Sequence, residues 1–229
     1  YQVIKRPRRK TASISVKPDC SVRVLVPASL SDQKIDELVK RKSRWIRNKI
    51  AQFQEIQRNS KQKEYISGES FTYLGRNYRL KVVVGDPEEN SVKLMNGRFY
   101  VHVPSDVSKE EQVISVRGQL SEWYQEHSVI RLREKAERYA KQMGVNPASV
   151  GVKGYQSRWG SCHSDGRVYF NWRIIVAPHS IVDYVVVHEL CHLVHHDHSK
   201  KFWKLLETII PDYVERKEWL KVNGKGLGI

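Results

Sequence analysis

Residues 186–203 read VVHELCHLVHHDHSKKFW and hold five of the nine histidines of this 229-residue chain. Within this stretch, His188, Glu189 and His192 form an HExxH motif. Residues four apart on a helix lie on the same face, with Cβ atoms about 6 Å apart. That spacing lets two imidazole nitrogens reach one metal ion at about 2.0–2.1 Å. The stretch therefore predicts a helix that carries two metal ligands.

Glu189 follows the first predicted ligand directly, where its carboxylate can reach a water on the metal but not the metal itself. A metal lowers the pKa of such a water, and a nearby carboxylate accepts its proton during attack. We therefore predict Glu189 as the catalytic acid/base and zinc, one ion per chain, as the cofactor. An apolar run over 181–187, interrupted by Asp183, predicts that this helix is largely buried.

A catalytic zinc site needs a third protein ligand and an open fourth position. We predict His198, ten residues after His188, which requires the chain to turn back after His192. Ser199 is typical of a helix N-cap and predicts a new helix at that point. The long metzincin motif uses the same ten-residue spacing but has glycine at the position of His195, so this turn must be built differently.

Other residues near the motif have alternative interpretations. Three rival third ligands remain: His195, Glu207 and Glu215. Cys191 also falls on the ligand face, where its thiolate could bind the metal or its side chain could pack. Asp183 and Asp197 could orient imidazoles, and Asp197 could instead cap the following helix.

Blocks of alternating polar and apolar residues predict strands, and these blocks alternate with helical patterns. The predicted strands are a hairpin over 11–27 turning at Pro18-Asp19, segments near 71–84, 91–95 and 98–103, and segments over 150–159 and 167–176. Turns are predicted at 85–87 and at Asn96-Gly97, with a Gly/Ser/Cys-rich turn before 167. The predicted helices begin after Ser31 and end near 57, cover 108–143, and occupy 180–221 with a break in the middle. We predict an α+β fold class.

The positive charge is concentrated at the N-terminus. The net charge is +15, and residues 1–60 hold 15 Lys/Arg against 5 Asp/Glu, a net +10. We predict a basic hairpin-plus-helix part over 1–60 and a catalytic domain over 61–229, or one continuous domain. Such a patch is typical of a surface that binds nucleic acid or another polyanion. It could also be a solvated basic face, since no base-reading motif is present.

Composition excludes several classes of protein. The 22 aromatic residues argue against disorder, and no apolar run approaches the roughly 18 residues of a membrane helix. Three cysteines cannot form a disulfide framework. The basic start has no apolar segment behind it, so it is not a signal peptide, and the native start is expected to be missing or trimmed. We predict a cytoplasmic protein with no membrane partner.

Two upstream segments, SRWGSC over 157–162 and FNWRIIVAP over 170–178, accompany the histidine-rich stretch. Together the three segments resemble the YgjP-like metallopeptidases, distant relatives of SprT and WLM-type zinc proteins. The resemblance implies a compact zinc-dependent hydrolase with an antiparallel sheet beside the HExxH helix. It also implies metal binding by His188, His192 and His198, with Glu189 as the catalytic acid/base.

The SRWGSC segment supplies the candidate substrate-binding residues Arg158 and Trp159. The Arg158 guanidinium could bind a carboxylate, a phosphate or a developing oxyanion, and Trp159 and Trp172 could wall the cleft. Alternatively, both tryptophans belong to the core and Arg158 has a structural role.

Three functions follow from these observations. The first is a zinc metallopeptidase that hydrolyses a peptide bond. The second is a metal-dependent nucleotide pyrophosphohydrolase, which the basic residues Arg158 and Lys153 would suit, although neither a Walker A loop nor a Rossmann fingerprint is present. The third is a nucleic-acid-associated zinc protein, in which charge reversal at Arg41, Arg44 and Arg47 should weaken binding.

Overall fold

The structure is a computed structural model that describes residues 1–17, 19–59, 63–85 and 92–229. Its internal contacts divide the chain into two units, Tyr1–Gln62 and Lys63–Ile229. That division lies two residues from the boundary drawn on the sequence. Helices and small sheets occur in both units, so the predicted α+β class is confirmed.

The N-terminal unit is a three-stranded sheet followed by two helices. Its strands are β1 (Gln2–Arg6), β2 (Ser13–Val16) and β3 (Val22–Pro27), in the order β1-β3-β2. The predicted hairpin corresponds to the antiparallel pair β2–β3. The sequence analysis missed β1, which pairs parallel with β3. Of the predicted turn, Pro18 lies outside the described residues, and the Asp19 carboxylate accepts a hydrogen bond from the Ser21 N–H.

The prediction of a single helix ending near 57 is wrong, because the chain forms two helices, α1 (Asp32–Arg41) and α2 (Ser43–Asn59). Ser31 occupies the predicted N-cap position without a side-chain cap bond. The break at Lys42 lets each helix bury its own apolar residues on the sheet. Ile35 of α1 packs in a cluster with strand β3, whereas Ile46 and Phe53 of α2 pack in a second cluster.

The second unit carries the remaining elements. Its strands are β4 (Ser70–Tyr73), β5 (Arg76–Val84), β6 (Lys93–Met95), β7 (Arg98–Val103), β8 (Ser149–Lys153), β9 (Gly160–Cys162) and β10 (Arg167–Asn171). Its helices are α3 (Lys109–Met143), α4 (His179–Cys191), α5 (Lys200–Ile209) and α6 (Tyr213–Asn223), with short 3-10 helices at Trp172–Val176 and Gly224–Gly226. The sheets have the orders β4-β5-β7-β6 and β8-β10-β9. Each contains one parallel pair, β5–β7 and β8–β10, joined to antiparallel neighbours.

The strand predicted near 71–84 is two strands, β4 and β5, because the chain turns at Leu74-Gly75 with φ of 49° and 78°. This turn supports the start of α4. The Leu74 N–H donates to the Ile175 carbonyl at 2.8 Å, and a Cβ on Gly75 would lie 2.8 Å from Cα of Pro178. The other predicted hairpin turn, Asn96-Gly97, is confirmed between β6 and β7, with positive φ at both residues.

Helix α3 confirms the predicted helix over 108–143 and extends along both sheets and α4. Ser108 and Glu111 form a capping box at its start, and Gly144 ends it in the left-handed conformation. Lys135 of α3 forms a half-buried ion pair with Asp183 of α4, with 2.6 Å between Nζ and Oδ1. This pair fixes the position of the active-site helix along α3.

The third predicted β block is wrong in its boundaries. Strand β8 ends at Lys153 and β10 at Asn171, so residues 154–159 form a loop and residues 172–176 a 3-10 helix. Segment 160–162, predicted as a turn, is instead strand β9, paired antiparallel with β10. The sheet β8-β10-β9 lies beside α4, with β9 as an edge strand in contact with that helix.

In the described part of the chain, no helix combines the length and apolar character needed to cross a bilayer.

Candidate active site

The predicted break after the HExxH motif brings His198 back to the ligand face of α4. Helix α4 ends at Cys191, and a turn follows in which the His195 N–H donates to the Cys191 carbonyl at 2.9 Å. Helix α5 then begins after Ser199, whose hydroxyl accepts a hydrogen bond from the Phe202 N–H. The predicted N-cap at Ser199 is therefore confirmed.

The imidazoles of His188, His192 and His198 converge on one point. One ring nitrogen of each lies within 4.8 Å of the others, and the Nε2 atoms of His188 and His198 are 3.1 Å apart. Two nitrogens bound to a tetrahedral zinc ion at 2.0–2.1 Å lie roughly 3.3 Å apart. Among the described residues, these three form the only such donor cluster. The chemistry and spacing of the cluster therefore fit a mononuclear zinc site.

Hydrogen bonding around the cluster also matches a metal site. Nδ1 of His192 lies 3.0 Å from the His195 carbonyl oxygen, which leaves Nε2 free to bind. Nδ1 of His188 is buried with no hydrogen-bond partner among the described residues. An unsatisfied buried polar atom costs about 1–3 kcal/mol. Nε2 of His188, and not this Nδ1, faces His198, so Nε2 is the nitrogen available to a metal ion.

Burial keeps the first predicted ligand neutral. Loss of solvent, with smaller contributions from the charges of His192 and His198, lowers the pKa of His188 to about 3. Burial also lowers the pKa of His192. Neutral imidazole is the form that binds a metal ion. Both residues are therefore ready to bind at neutral pH without first losing a proton.

The Glu189 side chain lies against β9, at the wall of the cavity that the three imidazoles also line. Its side chain is only 7% exposed, and burial raises its pKa to about 8, an effect that the nearby Arg158 guanidinium partly opposes. A carboxylate with this affinity for protons is suited to proton transfer near neutral pH.

Gly160 makes the space that Glu189 occupies. A Cβ at this position would lie 2.5 Å from Cγ and 2.7 Å from Cδ of Glu189, far inside van der Waals contact. The sequence analysis quoted this glycine within SRWGSC but did not assign it a role. The sequence shows only that a small residue occupies this position of the motif. The packing of β9 on α4 shows why a larger side chain does not fit there.

Gly160→Ala is therefore expected to lower turnover by about 100-fold or more, because a displacement of about 1 Å in a catalytic group has that effect. Zinc content should stay unchanged, since the three clustered donors are imidazoles and Gly160 supplies none of them. The measurement is turnover and bound zinc in purified protein. Gly154→Ala is the matched control, because its Cβ would meet Trp172 at an ordinary 3.5 Å. Wild-type turnover in Gly160→Ala would contradict this role.

The three imidazoles and Glu189 line one cavity of about 650 Å³. Arg158 and Trp159 also line this cavity, together with the three residues of β9. The Arg158 side chain is exposed and forms no ion pair with any described residue. Of the two tryptophans predicted to wall the cleft, only Trp159 does so. Trp172 is 6% exposed and belongs to the core.

Asn171 shapes the loop that carries Arg158 and Trp159, a role that the sequence analysis missed. Its buried amide donates to the carbonyls of Tyr155 and Arg158 at 2.8 and 3.0 Å. Its backbone N–H donates to the Trp159 carbonyl at 2.8 Å. This role could not be predicted from an asparagine at the end of a strand, because its hydrogen-bond partners lie 12 to 16 residues earlier in the chain.

Trp203 of α5 packs against His198, the exposed member of the three candidate ligands. Its indole stacks on the His198 ring, with centroids 5.5 Å apart and planes 27° apart, and on its other side it stacks on Tyr213. Phe202 contacts the rings of all three histidines, with centroids 4.7 to 5.0 Å away. From the sequence, both residues were expected on the buried face of the helix after Ser199, with no role at the site. Their role here is to hold His198 in place.

The alternative ligands lie elsewhere. The ring of His195 is outside the cluster, and Glu207 and Glu215 are both exposed and outside it. The Cys191 side chain is fully buried in the core, and burial raises the pKa of its thiol to about 12.

The two aspartates have structural contacts. Asp183 pairs with Lys135 and Arg138 of α3 and does not orient an imidazole. Asp197 accepts a hydrogen bond from the Ser199 N–H at 3.3 Å, which agrees with the capping alternative. Lys153 lies over the Tyr169 ring, 3.6 Å from its centroid, and does not line the cavity.

Three imidazoles and a buried carboxylate around one cavity are the donor set and the base of a metal-dependent hydrolase. The chain belongs to the YgjP-like family, since the family model described as the YgjP-like metallopeptidase domain matches residues 10–223. The predicted resemblance is confirmed, and it covers nearly the whole chain. Membership of this family makes the protein a metallohydrolase.

Two other comparisons were made. Among solved structures, the metallopeptidase zymogen of Pyrococcus abyssi, abylysin, matches with 18% identity and a TM-score of 0.37, covering 41% of this chain and 93% of that one. A comparison with curated protein sequences found no match.

Proposed function

We propose that this protein is a zinc-dependent hydrolase of peptide bonds. In this proposal His188, His192 and His198 hold one zinc ion, and Glu189 is the catalytic acid/base. The observation that carries it is the convergence of three imidazole nitrogens within 4.8 Å at the wall of a cavity that also contains the buried Glu189.

Each group has a defined part in the reaction. Zinc, when bound, supplies a Lewis acid that polarises a carbonyl and acidifies water. The Glu189 carboxylate accepts the proton of the attacking water and later gives it to the leaving amine. The Arg158 guanidinium, unpaired at the cavity wall, offers hydrogen-bond donors to the developing oxyanion or to a substrate carboxylate. The Trp159 indole forms an apolar wall for a substrate side chain.

The position of β9 favours a peptide substrate. This strand is the edge of its sheet and lines the cavity beside Glu189. An edge strand has unpaired backbone N–H and C=O groups, and an extended peptide binds such an edge as an added strand. A peptide aligned on β9 would pass over the three imidazoles, because the same cavity holds both.

A second candidate function is hydrolysis of nucleoside triphosphates. The observation in its favour is the exposed guanidinium of Arg158, which has no ion-pair partner among the described residues, in a cavity of about 650 Å³, within the range that holds small ligands. This second candidate has less support than the peptidase, because Lys153, the other cation expected at the cleft, lies over the Tyr169 ring instead.

One experiment separates the two functions. Zinc-loaded wild-type protein and Glu189→Gln are compared in two assays, one for phosphate and pyrophosphate release from nucleoside triphosphates and one for cleavage of unfolded proteins. Peptide cleavage that is lost in the variant supports the peptidase. Nucleotide turnover that is lost in the variant, without peptide cleavage, would replace the peptidase proposal with the second candidate.

We also propose that the protein works in the cytoplasm. Cys20, Cys162 and Cys191 are all free thiols. Disulfides form in oxidising compartments, whereas thiols persist where glutathione and thioredoxin keep them reduced. Fractionation of cells that produce the full protein tests this assignment.

A further inference from the structure

The N-terminal unit contains a groove that has no part in the hydrolase site. Residues of α1, α2 and the start of β2 enclose a cavity of about 260 Å³. The groove is lined by Leu38, Lys42, Trp45, Ala12, Ser13 and Ile14. This volume is below the 300–1,000 Å³ of most small-molecule sites, so the groove suits a single planar group better than a whole cofactor.

Trp45 is exposed although the helices have a complete apolar face. Ile35, Ile46 and Phe53 are 2%, 8% and 3% exposed and cover the sheet. Trp45, next to Ile46 in sequence, points about 100° away from it around the helix axis and is 46% exposed. The Trp45 indole is not part of the apolar clusters between these helices and the sheet. A large exposed aromatic side chain beside an apolar groove is typical of a binding surface.

Exposed cations lie on the turns of α1 and α2 next to this indole. Lys42 lines the groove, and Arg41, Arg44 and Arg47 are exposed on the adjoining turns of α1 and α2. The side chains of these four form no ion pair or hydrogen bond with a described residue. On the strand side, Nη2 of Arg9 donates to the Ser13 hydroxyl at 2.7 Å, which places a fifth cation at the rim.

Three of the five acidic residues at positions 1–60 have ion-pair or hydrogen-bond partners, and Glu37 is exposed on α1. Asp32 pairs with Lys5 at 2.8 Å, and Asp36 accepts a hydrogen bond from the Tyr1 hydroxyl. Asp19 accepts one from the Ser21 N–H. Counting all acidic residues, positions 1–60 keep a net charge of +10, which attracts an anionic partner.

From these observations we infer that the groove binds single-stranded nucleic acid. One base stacks on the Trp45 indole, and the phosphates contact Lys42, Arg44, Arg47 and the cations on either side. Aromatic platforms next to basic tracks bind single strands in this way, because every unpaired base has an exposed π face.

Two other polyanions fit the groove less well. A duplex keeps its bases stacked internally, so it could use the cations but not the indole. A membrane surface requires a broad apolar face on the helix, and here that face is already buried on the sheet. The single exposed indole therefore favours a partner with one planar group to insert at a time.

The test is binding of the full-length protein to a fluorescein-labelled oligothymidylate of about 20 nucleotides, measured by anisotropy over a range of salt concentrations. Trp45→Ala is expected to weaken binding about five- to one-hundred-fold, the range found for loss of a base–aromatic stack. Trp45→Phe should recover part of the affinity, whereas Trp45→Leu, which keeps apolar bulk without a π face, should not. Arg44→Glu combined with Arg47→Glu should lower the steepness of the salt dependence.

Folding of each variant is checked by circular dichroism, and these exposed substitutions are expected to leave it unchanged. Duplex binding as tight as single-strand binding, with no effect of Trp45→Ala, would overturn the inference and leave a general electrostatic surface. Binding to vesicles of phosphatidylserine and phosphatidylcholine but not to the oligonucleotide would overturn it in favour of a membrane. Absence of salt-dependent binding to the oligonucleotide would also overturn it.

Discussion

Glu189→Gln is expected to lower turnover about 100- to 10,000-fold, the usual contribution of a positioned general acid/base. The amide is nearly the same size as the carboxylate, so it fits the space opposite Gly160, but it cannot accept a proton. Zinc content should be unchanged, because Glu189 is not one of the three clustered donors. The measurement is turnover with the substrate identified by the two-assay comparison, alongside metal analysis of the same sample.

Glu207→Gln is the control for this substitution, since Glu207 is exposed on α5 and lies outside the cavity. It removes the same charge and should retain wild-type turnover. If Glu189→Gln turned over substrate at the wild-type rate, another group would have to be the base. Loss of zinc from Glu189→Gln would instead assign this carboxylate to metal binding.

His188→Ala and His192→Ala are each expected to abolish turnover and to lower zinc affinity by more than about 100-fold. Loss even of a residue that only orients a ligand costs 10- to 100-fold, and each substitution here removes one of three donors. His198→Ala should have a similar effect on zinc affinity. Dialysis against a competing chelator followed by metal analysis measures the affinity, and circular dichroism verifies folding.

His195→Ala is the matched control, because it removes a histidine from the same turn whose ring is outside the cluster. The hydrogen bond to His192 uses the backbone carbonyl of His195 and survives the substitution. Near-wild-type zinc retention in His198→Ala would move the third ligand to His195, Glu207 or Glu215. Loss of zinc from His195→Ala would identify His195 as a ligand.

Several local features were predictable because they depend on nearby residues. The bounds of α3 near 108 and 143 and the Asn96-Gly97 turn both depend on interactions within a few residues. The N-cap at Ser199 belongs to the same group and was enough to predict the turn that returns His198. Short-range hydrogen bonds of this kind are encoded in short stretches of sequence.

The errors occur where tertiary packing competes with local preference. The apolar residues at 172–176 favour a strand, but the chain buries them in a 3-10 helix beneath α3 and the Leu74-Gly75 turn. The small residues at 160–162 favour a turn, but β10 offers them a partner strand and Glu189 fills the space above them. Strand β1 was missed because its parallel partner lies more than 20 residues away.

The sequence by itself determined the type of chemistry, because the spacing of His188, Glu189 and His192 on a helix follows from the helical repeat alone. It also determined the family, through three motifs within about 50 residues. Only the tertiary structure decided which residues complete the site: that Gly160 faces Glu189, that Asn171 holds the Arg158 loop, and that Trp172 is buried while Trp159 lines the cavity. The physical reason is that these contacts join residues on different elements, and their distances are set by how sheet and helices pack.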